Sequence, residues 1–208
     1  MLDRLFVDNV WIAIAVWAVV YSSDFVLTMV CARLYRAGAN RHVVFESYEL
    51  TPYYQKDVAR VRWISPRFLL MLALTCSAIG LLGYIAHALA ASGEVGAWPV
   101  DLYRVALGAL LLSEAAIHIR HFRNLYLFAA LRRPGAAEGR VAYPMRLSYR
   151  TSSVEMTAFA ALYLFTFALT QNWFFLGGTL KCLALAHSHW RLSFRSRPTP
   201  PPVPTTPR

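Results

Sequence analysis

The chain has 208 residues, of which 57% are hydrophobic and 15% charged, with a formal net charge of +10. So high an apolar content excludes an ordinary soluble enzyme domain, and the placing of the positive charge in two connections and a tail argues for membrane topology and against nucleic acid as a partner. The three cysteines, Cys31, Cys76 and Cys182, include no Cys-x-x-Cys pair; they read as packing residues and exclude a disulfide framework.

Five apolar segments are long enough to cross a hydrocarbon core, at about 9–31, 67–91, 100–121, 154–171 and 173–193. The first lacks a basic leader and a cleavage motif and is interrupted by Asp24, so it is expected to stay as a signal-anchor-like helix. It should continue past Arg33 to Arg36 and close near Gly38-Ala39-Asn40. In the connection that follows, Thr51-Pro52 reads as an N-cap with proline at the first helical position. That signal predicts a short amphipathic helix near 52–64, ending in Trp63, with Tyr54, Val58 and Val61 on the face that rests on the membrane surface.

Ser65-Pro66 launches the second segment in the same way, and its Cys76, Ser77, Gly80 and Gly83 allow close helix approach. Trp98-Pro99 makes the turn into the third. An irregular basic loop spans 132–152, and Ser152-x-x-Glu155 reads as a capping box that starts the fourth segment. Asn172 lies in a short turn, so the fourth and fifth helices should pack antiparallel. The proline-rich stretch 195–208 is expected to be a disordered tail. The fold class is therefore all-α, an integral membrane bundle of five transmembrane helices.

Arg33, Arg36, Arg41, Lys56, Arg60 and Arg62 follow the first segment, and Arg120, Arg123, Arg132, Arg133, Arg140 and Arg146 follow the third. The connections around 92–99 and 170–173 hold neither Lys nor Arg. Positive charge marks the cytoplasmic side, which puts the N-terminus outside and the C-terminus in the cytoplasm. The bilayer is the expected partner, with anionic lipids at the cytoplasmic face, and Arg120 and Arg123 are placed to touch a lipid head group. A second copy or another membrane protein is a further expected partner.

Asp24, Glu114, His118, His187 and His189 interrupt otherwise apolar segments at one depth, about 20–25 Å from the outer face by helical rise. Ionisable groups at such a depth face a bundle interior and mark function. Glu114, His118 and His121 recur at i, i+4 and i+7 and share one helix face. His187 and His189 lie about 200° apart around their helix, so one of them at most joins a given centre. A carboxylate with imidazoles suits a divalent metal held by Glu114, His118, His121 and one of His187 or His189, with Glu114 as a base for metal-bound water. The same residues suit a proton or cation relay, or a hydrogen-bonded network that fixes helix packing around a non-catalytic subunit. A haem between two histidines would need small residues around it, and Gly80, Gly83, Ala160 and Ala161 are the candidates. Lys181 is a candidate partner for Asp24 or Glu114, although it lies about 10 Å nearer the outer face by helical rise, and Glu114 has a neighbouring histidine as an alternative partner. Glu155 is explained by its capping box.

Asp24-Phe25-Val26-Leu27-Thr28 and Tyr48-Glu49-Leu50-Thr51-Pro52 resemble an uncharacterised family of small prokaryotic multipass membrane proteins. That family pairs an Asp-x-x-Leu-Thr first helix with a Glu-x-Asn-Pro-like loop, and Thr51 stands here where Asn is expected. The resemblance implies a multipass protein of a prokaryotic inner membrane and no particular activity.

Overall fold

Long apolar runs with proline only at their starts leave the backbone free to satisfy its own hydrogen bonds in helices. In the computed structural model, which describes residues 2–46, 50, 54–133, 135 and 137–196, that is what the chain does. The order is α1 (Leu2–Asp8), α2 (Val10–Arg36), β1 (Val43–Phe45), α3 (Gln55–Arg60), α4 (Pro66–Ser92), α5 (Trp98–Leu131), β2 (Val141–Tyr143), α6 (Met145–Thr170) and α7 (Trp173–Arg195). Caps set several of the boundaries. Asn9 accepts from the Trp11 and Ile12 amides, Ser65 caps α4 with Pro66 behind it, and Asn172 caps α7. Gln171, left-handed at φ 52, and Asn172 alone turn α6 into the antiparallel α7.

α2, α4, α5 and α6 are long and apolar enough to cross a membrane. The fifth expected span, α7, is not among them, because Lys181, His187 and His189 dilute its apolar run. Only 11% of the apolar stretch of α2, and the same share of α4, is buried inside the protein. Leu81, Leu82, Ile85 and Leu89 of α4 stand exposed.

The helices lie in the lateral order α4, α2, α5, α7, α6, with α4 also touching α5. Residues 23 and 28 of α2 meet 118 and 121 of α5, so these two run parallel. Trp17 Nε1 donates to Thr75 Oγ1 at 2.7 Å between α2 and α4, and Tyr163 donates to the Leu112 carbonyl at 2.9 Å between α6 and α5. The closest seam joins α5 to α7. A Cβ on Gly108 would run into the Phe174 carbonyl, and one on Gly177 into the Val105 carbonyl. Backbone packed on backbone leaves no side chain to yield, and it fixes how α5 is rotated.

Several boundaries depart from those expected. α5 runs to Leu131, ten residues past the expected end at 121, because Phe128 and Leu131 bury themselves against Cys31 and Ala39. α6 starts at Met145, so Ser152 and Glu155 lie inside it and form no capping box. α3 begins at Gln55 behind Tyr54; residues 51–53, which carry the expected Thr51-Pro52 start, lie outside the described residues. Its Tyr54, Val58 and Val61 do share a face, but that face packs on Phe25, Met29 and Ala32 of α2 instead of on a membrane surface. The short α1 and the strands were not expected, and the tail from 197 onward lies outside the described residues.

The strands tie the two basic connections together. β1 and β2 pair in parallel, Val43 with Val141 through Phe45 with Tyr143. The connections after α2 and α5 thus sit at one end of the bundle, called here the basic end.

Gly108→Ala is expected to lower unfolding stability by about 1–3 kcal/mol or more, since the new methyl meets backbone. Gly80→Ala should cost clearly less, because its Cβ meets only the tip of Ile14 at 3.3 Å. Thermal unfolding in one detergent compares the two.

Candidate metal centre

The parallel seam between α2 and α5 brings together the two patterns that stand out in the sequence. From α2 come Ser23, Asp24 and Thr28; from α5 come Glu114, His118 and His121. Asp24, Glu114 and His118 each present one ligand atom, and these atoms lie within 4.8 Å of one another. Glu114 is 8% exposed, while Asp24 and His118 are half-buried.

Hydrogen bonding prepares His118 as a ligand. Its Nδ1 lies 2.8 Å from the Glu114 carbonyl, which only accepts, so Nδ1 carries the proton and Nε2 points away from its own helix. Ser23 Oγ is 2.7 Å from that Nε2, but the same hydroxyl lies 2.8 Å from the Val20 carbonyl. One hydroxyl proton serves one of these at a time. A histidine whose second nitrogen donates to a backbone carbonyl is oriented as metal-binding histidines are.

His121 sits beside this trio. Its Nε2 is 3.0 Å from Asp24 Oδ1 and 3.2 Å from Thr28 Oγ1. Asp24 and Thr28 are one helical turn apart on α2, which explains how the Asp-x-x-Leu-Thr segment acts: its two polar ends clamp one imidazole. Even so, Asp24 Oδ1 is out of line for a hydrogen bond with that ring. Among the described residues, six buried side-chain atoms lack a hydrogen-bond partner, and three belong here: Asp24 Oδ1, Glu114 Oε2 and His121 Nδ1. Half of the unmet demand for partners therefore gathers at one seam, where an unmet buried polar atom costs about 1–3 kcal/mol.

Two cavities flank the cluster. One, of about 400 Å³, opens at the basic end and is walled by Asp24, Thr28 and His121 on its inner side. The other, of about 950 Å³, is mainly apolar, with Val16, Val20, Leu111 and Phe174 along it, and it reaches Ser23 and His118.

The remaining expected residues fall elsewhere. His187 is exposed. His189 is half-buried, but its Nδ1 bonds Ser152 Oγ at 2.9 Å and its ring lies on Tyr149, so neither histidine of α7 joins the trio. Lys181 is exposed, and among the described residues no ion pair links it to Asp24 or Glu114. Arg120 donates to Ser152 and lies 3.9 Å from Glu155 Oε2, while Arg123 pairs with Glu155. Three of the small residues weighed for a haem are taken up by helix packing: Gly83 faces Val10 and Tyr103, Gly80 faces Ile14, and Ala160 lies in a core with Met156 and Cys182, while Ala161 is exposed.

Ser23 and Thr28 are the residues that sequence reasoning passed over, and Glu155 is the one it set aside as a helix cap. Thr28 was inside the quoted Asp-x-x-Leu-Thr pattern, and its i+4 spacing from Asp24 was the available signal. Comparison with family models, with curated proteins and with solved structures found no match. The likeness to small multipass proteins therefore rests on its own two segments, of which residues 47–49 and 51–53 lie outside the described residues.

His187→Ala should leave stability within about 0.5 kcal/mol of wild type, as an exposed side chain with no structural partner would. His189→Ala, which strips Ser152 of a buried bond, should cost about 1 kcal/mol. Equal losses in parallel unfolding curves would contradict the assignment of His189 alone to the interior.

Proposed function

We propose that the chain is a multipass membrane protein that holds a divalent cation between α2 and α5, with Asp24, Glu114 and His118 as its ligands. One observation carries this reading: three hard or borderline ligand atoms from two helices converge within 4.8 Å, in a seam where, among the described residues, no lysine or arginine is paired with either carboxylate. In a tetrahedral site, ligands about 2.1 Å from a common ion stand about 3.4 Å apart, so closure draws the three atoms together by up to about 1.4 Å. Two carboxylates and an imidazole favour zinc, manganese or ferrous iron over soft cuprous ions. Three protein ligands leave a coordination position open, as sites that act on a substrate do.

Four apolar helices whose surfaces are mostly uncovered support the membrane reading. We take α7 as the fifth crossing, since it runs antiparallel beside α6 after a two-residue turn and shares its surroundings. The basic end would then face the cytoplasm, with the N-terminus outside, in a prokaryotic inner membrane. A membrane-impermeant maleimide should label Glu94→Cys on intact cells and Arg140→Cys only after permeabilisation. The reverse pattern would overturn the orientation.

A relay is the second reading, favoured by the pair of cavities that reach the cluster from different sides. Protons or cations would pass between Asp24, Glu114, His118 and His121. A relay needs no stoichiometric ion at rest, so cation-dependent stability separates the two readings.

The test is unfolding of the detergent-purified full chain with and without zinc or manganese. At a cation concentration of a hundred times Kd, wild type should gain about 2.7 kcal/mol. Glu114→Gln should be at least as stable as wild type without cation, because it removes a buried carboxylate that lacks a partner, and should gain little when cation is added. A variant that is merely less stable under both conditions would instead mark Glu114 as structural.

A further inference from the structure

The lining of the cavity at the basic end carries both signs of charge. Asp24 belongs both to its inner wall and to the carboxylate–imidazole trio, so a cation held by the trio lies at the edge of this space. The same lining carries Arg120, Arg123, Asn124 and Glu155. Arg120 is held from α6 by the Ser152 hydroxyl, and Arg123 by the Glu155 carboxylate. Both guanidinium groups are thus fixed before any ligand arrives. Val43, Phe45, Leu50 and Tyr143 from the connections complete the enclosure.

We propose that this cavity binds a phosphate group, gripped between the cation at Asp24 and the guanidinium groups of Arg120 and Arg123. The inference deepens the proposed cation site and rests on it. Arginine is suited to the role because its planar fork matches phosphate oxygens two at a time. Charge balance makes the binding conditional. Without a cation, Glu155 offsets the two arginines beside it and Asp24 is paired with His121, so an anion gains little by entering. A divalent cation turns the inner wall positive and reverses that balance. The phosphate comes from a phospholipid head group at the membrane surface or from a soluble phosphate compound; the recognition chemistry is the same.

The experiment uses the detergent-purified full chain and measures equilibrium binding of radiolabelled inorganic phosphate, with and without manganese. Bound manganese is measured in the same samples. A second arm replaces inorganic phosphate with phosphatidic acid in mixed micelles, against phosphatidylcholine micelles as control. Binding of inorganic phosphate points to a soluble source, and binding of phosphatidic acid alone points to a lipid head group; either supports the proposal when it requires manganese. Arg123→Gln, at a side chain 55% exposed, should weaken phosphate binding about tenfold or more and leave bound manganese unchanged. Glu155→Gln should strengthen it. His118→Ala should abolish manganese and phosphate binding together. Stoichiometric manganese with no phosphate bound in either arm overturns this proposal and leaves the cation site standing. Phosphate bound equally well without manganese, or indifferent to Arg123→Gln, overturns it too. Folded wild type that binds none of manganese, zinc or ferrous iron overturns both.

Discussion

Asp24 and Glu114 face each other across a helix seam where, among the described residues, no lysine or arginine is paired with either. Ionised together at 4.8 Å or less, they repel by about 3 kcal/mol or more at an effective dielectric constant of 20. His121 lies 3.0 Å from Asp24 and meets part of that demand, while Glu114 Oε2 is left buried and without a hydrogen bond. The α5–α7 contact is built from small residues that bring backbone against backbone. The α2–α5 contact is built otherwise, and a divalent cation is the simplest species that relieves its charge, its missing partners and its geometry at once.

The rest of the fold serves to hold that seam in register. Gly108 and Gly177 bring α5 and α7 into backbone contact, which fixes the rotation of α5 and so directs Glu114, His118 and His121 toward α2. Trp17, Tyr21, Phe68 and Phe25 stack in series along α2 and α4 and secure the other side of α2. At the basic end the short parallel strand pair joins the connections that follow α2 and α5, so the two helices that supply the ligands are also tied at their ends. Ligands on rigid helices keep their positions within the tolerance that metal coordination needs.

Much of the helix content was legible in the sequence, because length, apolar run and proline-initiated starts are local signals. The face shared by Glu114, His118 and His121 was legible for the same reason: helical spacing alone defines it. Depth counting also matched Asp24 to Glu114 correctly. It does not hold for His187 and His189, since equal depth says nothing about rotation, and α7 turns one histidine to the outer surface of the bundle and the other to Ser152. Ser152-x-x-Glu155 misled because a capping box is recognisable only where a helix begins, and tertiary contacts carry α6 back to Met145. The strand pair joins segments almost a hundred residues apart in chain order, and no local pattern encodes such a contact. The Gly108–Gly177 approach was equally hidden, for two separated glycines reveal nothing until their helices are paired.

The central claim is that the α2–α5 seam holds a cation through two carboxylates and one imidazole. Elemental analysis joined to X-ray absorption of full-length protein, purified in detergent without chelator, tests it most directly. Near-stoichiometric zinc, manganese or iron, with a first coordination shell of oxygen and nitrogen that is lost in His118→Ala, is the expected result. Folded wild-type protein that stays metal-free after incubation with each of these ions, or whose metal survives both His118→Ala and Glu114→Gln, would contradict it.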